Sequence, residues 1–225
     1  VVMVDTDAEA GAIDDNGFIY GSKIDAGLGY ELPCYWDADN VYHELPHLDY
    51  GMNSDMFFSN VWSCNSAGTV LGGMQWISAG GTTPVIWYLD DSDEWQILDL
   101  TPEDDLSGRV DAVNSDGSQV AGWIDSETGS WIPTIWTIDE EMNVTYETAP
   151  SPPDWVTGSV TDFSPSDEYK AGYMNSMGAL WFEDGTFDMF EHENSSGWSS
   201  TTVVNVSDNA LCVGRTIDYW AWDQW

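Results

Sequence analysis

A two-part pattern recurs along this sequence and restricts the fold more than any other feature. The first part is a turn, a short apolar run and a glycine, and residues 114–123 (Asn-Ser-Asp-Gly-Ser-Gln-Val-Ala-Gly-Trp) are its fullest copy. Its anchor glycines are 51, 50, 50 and 42 residues apart: Gly21, Gly72, Gly122, Gly172 and Gly214. A regular period of this length is typical of solenoids and propellers.

The second part of the pattern is an apolar run that ends in tryptophan, usually with a proline three residues earlier. These tryptophans are 51, 49, 45 and 41 residues apart: Trp36, Trp87, Trp136, Trp181 and Trp222. Each unit contains short β-type runs separated by turn signals, and these runs indicate four strands per unit. Four strands in 40 to 50 residues are typical of a propeller blade. The sequence therefore predicts an all-β fold, a β-propeller of about five four-stranded blades.

We predict one repeat domain over residues 1–225, with approximate blades at 7–56, 57–107, 108–156, 157–200 and 201–225 plus 1–6. The last copy reaches only three residues beyond Trp222 and is one strand short, while an apolar run at residues 1–4 precedes the first turn. We therefore expect the N-terminal strand to close the last blade, which would leave no open sheet edge. The alternative is an open stack of four-stranded units in a longer solenoid.

The turn, apolar run and glycine, followed by the aromatic-tryptophan end, resemble the HAF-repeat proteins of bacteria and archaea. The resemblance covers most of the chain and implies a propeller-like architecture and an extracellular location rather than a particular activity. Copies four and five depart from the pattern, because Pro165 enters the turn and no proline precedes Trp181.

The charge of the chain excludes some partners. Forty Asp and Glu residues against four Lys and Arg give a formal net charge of −36, which repels nucleic acid and anionic lipid. No apolar stretch approaches the roughly 20 residues of a membrane helix. Self-repulsion at this charge favours a saline or cation-rich setting. We expect a secreted protein whose signal peptide has been removed, since a halophilic cytoplasmic protein usually retains more arginine than Arg109 and Arg215.

Cysteine and histidine provide few reactive groups. Cys34, Cys64 and Cys212 are odd in number and lack CxxC spacing, so we expect buried thiols, with a Cys34–Cys64 disulfide as the alternative. Residues 43–47 (His-Glu-Leu-Pro-His) match the zinc motif H-E-x-x-H. The proline would break the helix that this motif needs, so we predict a strand-like segment there and no zinc site.

Two sets of carboxylates are candidate site residues. Acidic runs follow the repeat tryptophans and suit Ca²⁺, although none has the spacing of an established calcium loop. The candidate calcium ligands are Asp37, Asp39, Asp90, Asp91 and Asp93, and similar runs lie at residues 139–141 and 183–184. A glycosidase would instead need carboxylates from different blades around a central pocket. The candidates for that role are Asp14, Asp111 and Asp162.

The tryptophans divide into two groups. Those that end the repeat pattern are expected to be core spacers between blades. The remaining candidates to stack on sugars or on a neighbouring subunit are Trp76, Trp95, Trp131, Trp155 and Trp198.

These features predict a non-catalytic, secreted acidic propeller that acts as a structural, adhesion or self-assembly module and is stabilised by salt or Ca²⁺. Its expected partner is a second copy, another surface protein or a glycan. The alternative is a carbohydrate-active propeller, either a glycoside hydrolase or a lectin.

Overall fold

The computed structural model describes residues 7–27, 29–48, 58–77, 81–102, 107–126, 128–152, 157–190 and 199–218. These residues form strands and turns, and within the described ranges there is no helix of any kind. None of this part of the chain can therefore cross a membrane as a helix. The prediction of an all-β fold is confirmed.

The described strands form five antiparallel sheets, numbered here in chain order. Sheet 1 comprises β1 (Ala8–Ile13), β2 (Ile19–Asp25), β3 (Tyr30–Trp36) and β4 (Tyr42–Glu44). Sheet 2 comprises β5 (Ser59–Cys64), β6 (Val70–Ile77), β7 (Gly81–Leu89) and β8 (Trp95–Asp99). Sheet 3 comprises β9 (Gly108–Val113), β10 (Gln119–Asp125), β11 (Trp131–Ile138) and β12 (Val144–Thr148). Sheet 4 comprises β13 (Gly158–Phe163), β14 (Tyr169–Met174), β15 (Met177–Phe182) and β16 (Phe187–Phe190), and sheet 5 comprises β17 (Ser199–Val206) and β18 (Cys212–Asp218).

The sheets follow one another in a propeller-like arrangement. The first strand of each sheet is the inner strand, and β1 packs on β5, β5 on β9, β9 on β13 and β13 on β17. Within the described residues, β17 has no comparable contact with β1, and sheet 5 has two strands. The closure predicted for residues 1–6 lies outside the described ranges and stays a prediction. β17 begins at Ser199, close to the predicted start of the last blade, and the blade boundaries stay predictions.

The hydrophobic core is divided into clusters between neighbouring sheets. The four clusters lie between sheets 1 and 2, 2 and 3, 3 and 4, and 4 and 5. Three repeat tryptophans belong to these clusters: Trp87, Trp136 and Trp181. All three, and Trp36 as well, are at most 2% exposed. The predicted role as a spacer between blades is confirmed for Trp87, Trp136 and Trp181, and it stays a prediction for Trp36. Burial of a ring this large contributes several kcal/mol at each position, on the order of 3 to 5.

The same tryptophans also form hydrogen bonds between sheets. The indole N–H groups of Trp87 and Trp181 donate to the carbonyl oxygens of Pro46 and Pro150, at 2.7 and 2.8 Å. Trp136 donates to Leu100 at 3.1 Å. Each acceptor lies just after the last strand of the preceding sheet, so each tryptophan fixes the connection that leads into its own sheet.

Every inner strand contains a β-bulge at the same place. The register shifts leave one residue of each inner strand unpaired with its neighbour: Gly11, Trp62, Asp111, Thr161 and Val204. A bulge bends its strand and redirects a side chain. The first four of these residues contact the inner strand of the next sheet, for example through the hydrogen bond from Thr161 Oγ1 to the carbonyl of Val203 (2.6 Å).

The bulges explain the repeated glycines. A Cβ at Gly21, Gly122, Gly172 or Gly214 would collide with a backbone carbonyl of the bulged inner strand. In sheet 2 the residue in this position is Gly73, which faces the carbonyl of Asn60, whereas Gly72 faces side chains of sheet 3. The sequence alignment of the second copy is therefore wrong by one residue, because two successive glycines satisfy the pattern equally well.

The turn after each inner strand is also repeated. Its first residue accepts hydrogen bonds from later backbone amides: Asp14, Asn65, Asn114, Ser164 and Ser207. Its fourth residue has positive φ, as at Gly117 (81°) and Ala210 (54°). Side chains of Asp, Asn and Ser are favoured at such positions because they can replace a backbone acceptor in the turn.

Candidate functional site

The turn ends of four inner strands surround a cavity of about 250 Å³, which we call the axial cavity. Its lining consists of residues 64–66, 113–115, 162–165 and 205–206, from sheets 2, 3, 4 and 5. Asn and Ser residues make up half of this lining, and Asp162 is the one formally charged residue among the described residues that form it. The described lining is therefore largely polar and includes a single carboxyl group.

Asp162 occupies a semi-buried position at this cavity. It follows the bulge residue of β13, and its Oδ2 accepts a hydrogen bond from the amide of Val206 in sheet 5 at 2.8 Å. Burial raises the pKa of Asp162 to about 6, although the backbone hydrogen bond favours the ionised form. The carboxyl group therefore changes protonation near neutral pH, which is a property that general acids and bases use.

The contacts of Asp111 differ from those of Asp162. It is the bulge residue of β9, where it forms an ion pair with Arg109 and accepts a hydrogen bond from the hydroxyl of Ser159 at 2.6 Å. Burial raises the pKa of Asp111, and the adjacent guanidinium opposes this effect. The side chain therefore links sheet 3 to sheet 4 through partners from this chain.

Asp14 acts as the first residue of a turn. Its Oδ1 accepts hydrogen bonds from the amides of Asn16 (3.0 Å) and Phe18 (2.8 Å). Its Oδ2 accepts one from the hydroxyl of Tyr20 at 3.1 Å. Burial, followed by the neighbouring Asp14 carboxylate, raises the pKa of Tyr20, so the hydroxyl stays protonated and able to donate.

The three candidate catalytic carboxylates thus occupy three different positions of the repeat. Of the three, Asp162 alone lines the axial cavity. Asp111 and Asp14 are held by separate sets of partners, and the described contacts do not bring any two of the three together.

The aspartates that follow the repeat tryptophans organise turns between third and fourth strands. One Oδ atom of Asp37 accepts hydrogen bonds from the amides of Asp39 and Val41, and Asp90 does the same for Ser92 and Glu94. These hydrogen bonds hold the pKa values of Asp37 and Asp90 below the usual range, Asp37 chiefly through its hydrogen bond with His43. Asp139 and Asp184 have the same role in sheets 3 and 4.

The calcium prediction is not decided by this geometry. Within the described ranges, no group of three His, Cys, Asp or Glu side chains is arranged to hold a metal ion. Asp39, Asp91 and Asp93 lie in exposed turns beside the capping aspartates. Calcium binding by these turns therefore stays a prediction.

The non-repeat tryptophans have different surroundings. Trp131 is 40% exposed, and its ring stacks on that of Trp123 with a centroid separation of 4.6 Å. Trp95 packs against Tyr20 and Tyr35 between sheets 1 and 2, and Trp76 is half-buried. Trp155 and Trp198 lie outside the described residues. Trp131 is therefore the candidate that best retains an accessible ring.

Sequence reasoning missed a cation–aromatic cluster beside Asp111. The guanidinium of Arg109 lies 5.2 Å from the ring centroid of Trp62 and 6.0 Å from that of Trp123. The contact with Trp62 joins residues almost 50 positions apart in the sequence, so only the packing of neighbouring inner strands reveals it. The scarcity of cations in this acidic chain was the one signal that pointed to Arg109.

The structure describes all three cysteines and both histidines of the H-E-x-x-H match. All three thiols are free, which excludes the alternative Cys34–Cys64 disulfide in this structure, and burial raises the pKa of both Cys34 and Cys64 to about 12. His43 lies on β4, as predicted, and its Nε2 contacts Asp37 Oδ2 at 2.9 Å.

Comparison with known proteins gives information about the fold alone. Neither a family model nor a curated protein matches the sequence. The crystal structure of TolB from Acinetobacter baumannii, a β-propeller protein, is similar, with a TM-score of 0.55 and 12% sequence identity. The similarity covers 94% of this chain and 51% of the TolB chain, so the chain spans about half the length of that neighbour. It supports the propeller-like arrangement.

Proposed function

We propose that this chain is a non-catalytic propeller module that serves attachment or assembly outside the cell. Its partner is a second copy, another surface protein or a glycan. The protein is stabilised by salt, with Ca²⁺ bound at the acidic turns that include Asp37, Asp39, Asp90, Asp91 and Asp93.

The structural roles of the candidate catalytic carboxylates support this proposal. Asp14 caps a turn and Asp111 neutralises Arg109 at a junction between sheets. Hydrolysis of a glycosidic bond needs two carboxyl groups on either side of one bond. Among the described residues that line its cavity, Asp162 is the single carboxyl group, which supports a binding role rather than hydrolysis.

The charge supports an extracellular, saline setting. A formal charge of −36 on 225 residues opposes compact folding unless counter-ions screen it. The recurrent Asp residues also provide hydrogen-bond acceptors for turns, so some of the acidity is built into the fold.

Binding and turnover assays on the purified 225-residue chain test the proposal. We expect retention on a surface coated with the partner, or concentration-dependent assembly, without turnover of a polysaccharide panel. A protein that stays monomeric and binds no glycan, protein or surface in a broad screen would contradict it.

A carbohydrate-active propeller is the second candidate, and Asp162 is the observation that favours it. This carboxyl group lies at a polar cavity and has a pKa of about 6, within the range of a general acid. The test is polysaccharide turnover by the unaltered chain and by Asp162→Asn. Turnover that disappears in the variant would establish this candidate, whereas binding without turnover in both proteins would identify a lectin.

A further inference from the structure

Successive sheets meet at their inner strands and at the turns that follow these strands, and we call each such contact a joint. Every inner strand has a polar residue two positions before its bulge residue. These residues are Glu9, Asn60, Arg109, Ser159 and Thr202. The repeat therefore places a polar side chain close to the bulge in every sheet, and the charge at each joint depends on which residue stands there.

The joint between sheets 3 and 4 contains its own cation. Arg109 forms an ion pair with Asp111, which also accepts a hydrogen bond from the hydroxyl of Ser159 in sheet 4. Buried charges are costly unless they are paired and hydrogen-bonded. The carboxylate at this joint is therefore neutralised by a side chain of the same chain.

The joint between sheets 1 and 2 contains two carboxylates. Glu9 of β1 lies directly opposite Ser22 of β2, and the hydroxyl of Ser22 donates a hydrogen bond to Oε2 of Glu31 at 3.1 Å. Residues directly opposite each other on antiparallel strands have their side chains on one face. Glu9 and Glu31 therefore share a face of sheet 1, and this face is turned toward sheet 2, because Nδ2 of Asn60 on β5 lies 3.4 Å from Oε2 of Glu9.

The two carboxylates act on each other. Burial raises the pKa of Glu31, the hydrogen bond from Ser22 lowers it, and the negative charge of Glu9 raises it. Ser22 and Asn60 are at most 1% exposed, and charges interact more strongly where water is excluded. A positive charge between Glu9 and Glu31 would therefore stabilise this joint.

Lys and Arg side chains do not supply that charge in the described structure. Neither Glu9 nor Glu31 takes part in an ion pair within the described ranges. All four Lys and Arg residues of the sequence lie in those ranges: Lys23, Arg109, Lys170 and Arg215. Lys23 follows Ser22 on β2 and therefore points to the opposite face, where its ammonium lies 4.9 Å from the centroid of the Tyr42 ring.

Asn60 gives an independent indication of a ligand. Its side chain is completely buried, and its Oδ1 has no hydrogen-bond partner among the described residues. A buried oxygen without a donor is unfavourable, and almost all such groups in native proteins have a partner. The contact between Nδ2 and Glu9 is long for a hydrogen bond. A half-turn of the amide exchanges Nδ2 with Oδ1 and places the oxygen beside the carboxylate, where one cation can contact both.

We propose that this joint binds a calcium ion through the carboxylates of Glu9 and Glu31, Oδ1 of Asn60 and Oγ of Ser22. All of these ligands are oxygens, which hard cations prefer. Ca²⁺ accepts about six to eight oxygens in a flexible arrangement, whereas Mg²⁺ demands near-ideal octahedral geometry. Two carboxylates and two neutral oxygens, completed by water, fit Ca²⁺ better.

The calcium ion has the role at this joint that Arg109 has between sheets 3 and 4. It neutralises the carboxylates and connects two sheets. Glu9 is exposed and Glu31 is half-buried, so the ion reaches the site from solvent. The site is separate from the acidic turns after the repeat tryptophans, and the inference does not depend on attachment or assembly by this chain.

Calorimetric titration of the 225-residue chain with Ca²⁺, in about 0.15 M NaCl to screen diffuse binding, tests the site. We expect Glu9→Gln and Glu31→Gln each to weaken the tightest binding at least roughly tenfold. Both variants keep the size of the side chain and an oxygen that accepts the hydrogen bond from Asn60 or Ser22. Glu168→Gln is the matched control, because it removes the same charge at an exposed turn residue of sheet 4. Thermal unfolding without Ca²⁺ verifies that each variant retains the fold.

NMR spectra of the unaltered chain give a readout at the site itself. The side-chain amide signals of Asn60 should shift with Ca²⁺ and should not shift with NaCl of equal ionic strength. Binding that Glu168→Gln weakens as much as Glu9→Gln would indicate diffuse condensation on an acidic surface and would overturn the site.

The remaining outcomes separate this site from the proposed function. Asp91→Asn should leave the tightest binding unchanged. If that variant alone loses it, the ion lies at an acidic turn, which overturns this inference and supports the calcium sites of the proposed function. A chain that binds no Ca²⁺ also overturns the inference, and the attachment and assembly assays then test the module independently.

Discussion

Single turn residues show how strictly the repeat is constrained. Gly117 has φ of 81° and Ala210, at the equivalent position, has φ of 54°. An L-residue with a Cβ is strained in this left-handed region by about 1 to 2 kcal/mol, whereas glycine is not. The fifth copy of the repeat therefore retains the turn, although it has alanine rather than glycine at the position with positive φ.

Replacing Ala210 with glycine should stabilise the protein by about 0.5 to 1 kcal/mol, because relief of the strained φ exceeds the entropy that an added glycine loses on folding. Gly117→Ala should destabilise it by more than that, since the new Cβ also meets Val70. Chemical denaturation measures both effects. Equal loss of stability in the two variants would contradict this account of the turn.

Asp162 should make the stability of the protein depend on pH in a defined window. Its pKa is about 6 in the folded chain and about 3.9 when unfolded, so the folded state binds the proton more tightly. Stability from the protonated carboxyl is fully present below about pH 4 and is lost as pH rises through 6. The loss is roughly 2 to 3 kcal/mol.

Denaturation curves of the unaltered chain and Asp162→Asn, collected from pH 4 to 8, measure this effect. The variant should lack the loss of stability between pH 4 and 6. Asp188→Asn, which removes the same charge at an exposed residue of β16, should behave like the unaltered chain. Parallel curves for all three proteins would show that Asp162 titrates normally.

The inner strand with its bulge is the element that defines this fold. At the bulge, the backbone of the inner strand lies so close to the repeated glycine of the second strand that a Cβ would collide with it. The bulge also places one residue of the inner strand against the inner strand of the next sheet. A side chain at the glycine would force the two backbones apart, which breaks strand pairing and the joint together.

Gly122→Ala should therefore lower the free energy of unfolding by at least about 2 kcal/mol, because its Cβ would collide with the carbonyl of Arg109. Gly27→Ala is the control, since this exposed turn glycine has only the Asp25 carboxylate near its Cβ position; its effect should stay within about 0.5 kcal/mol. The two variants are compared by thermal and chemical unfolding. Similar stability of both would contradict a steric requirement at the bulge.

The elements differ in how well the sequence predicts them. The turn at residues 114–117 and the buried Trp87 and Trp136 were predictable, because turn chemistry and apolar periodicity are local properties. The bulges could not be predicted from the sequence. The one-residue shift between Gly72 and Gly73 could therefore not be predicted either. The partners of Asp111 and Asp162 depend on which inner strand lies alongside, and that is determined by packing between sheets.

For the molecule as a whole, charge and repeat architecture act against each other. Each joint brings two acidic sheets together, and several joints use an aspartate as acceptor, such as Asp167 and Asp208. Repulsion between exposed carboxylates is long-range and is screened by salt, whereas these short hydrogen bonds are screened much less. Salt should therefore stabilise the protein without altering the joints.

Raising NaCl from low concentration to about 1 M should stabilise the chain by about 2 kcal/mol, or roughly 4 to 8 °C in the midpoint of thermal unfolding. Millimolar Ca²⁺ should stabilise it more than NaCl of equal ionic strength, because the acidic turns offer oxygen ligands. Asp91→Asn should reduce the calcium effect, and Asp188→Asn should not, although both remove one charge. If Ca²⁺ and Na⁺ act equally at matched ionic strength, the turns hold no ordered calcium ion and their aspartates serve the fold alone.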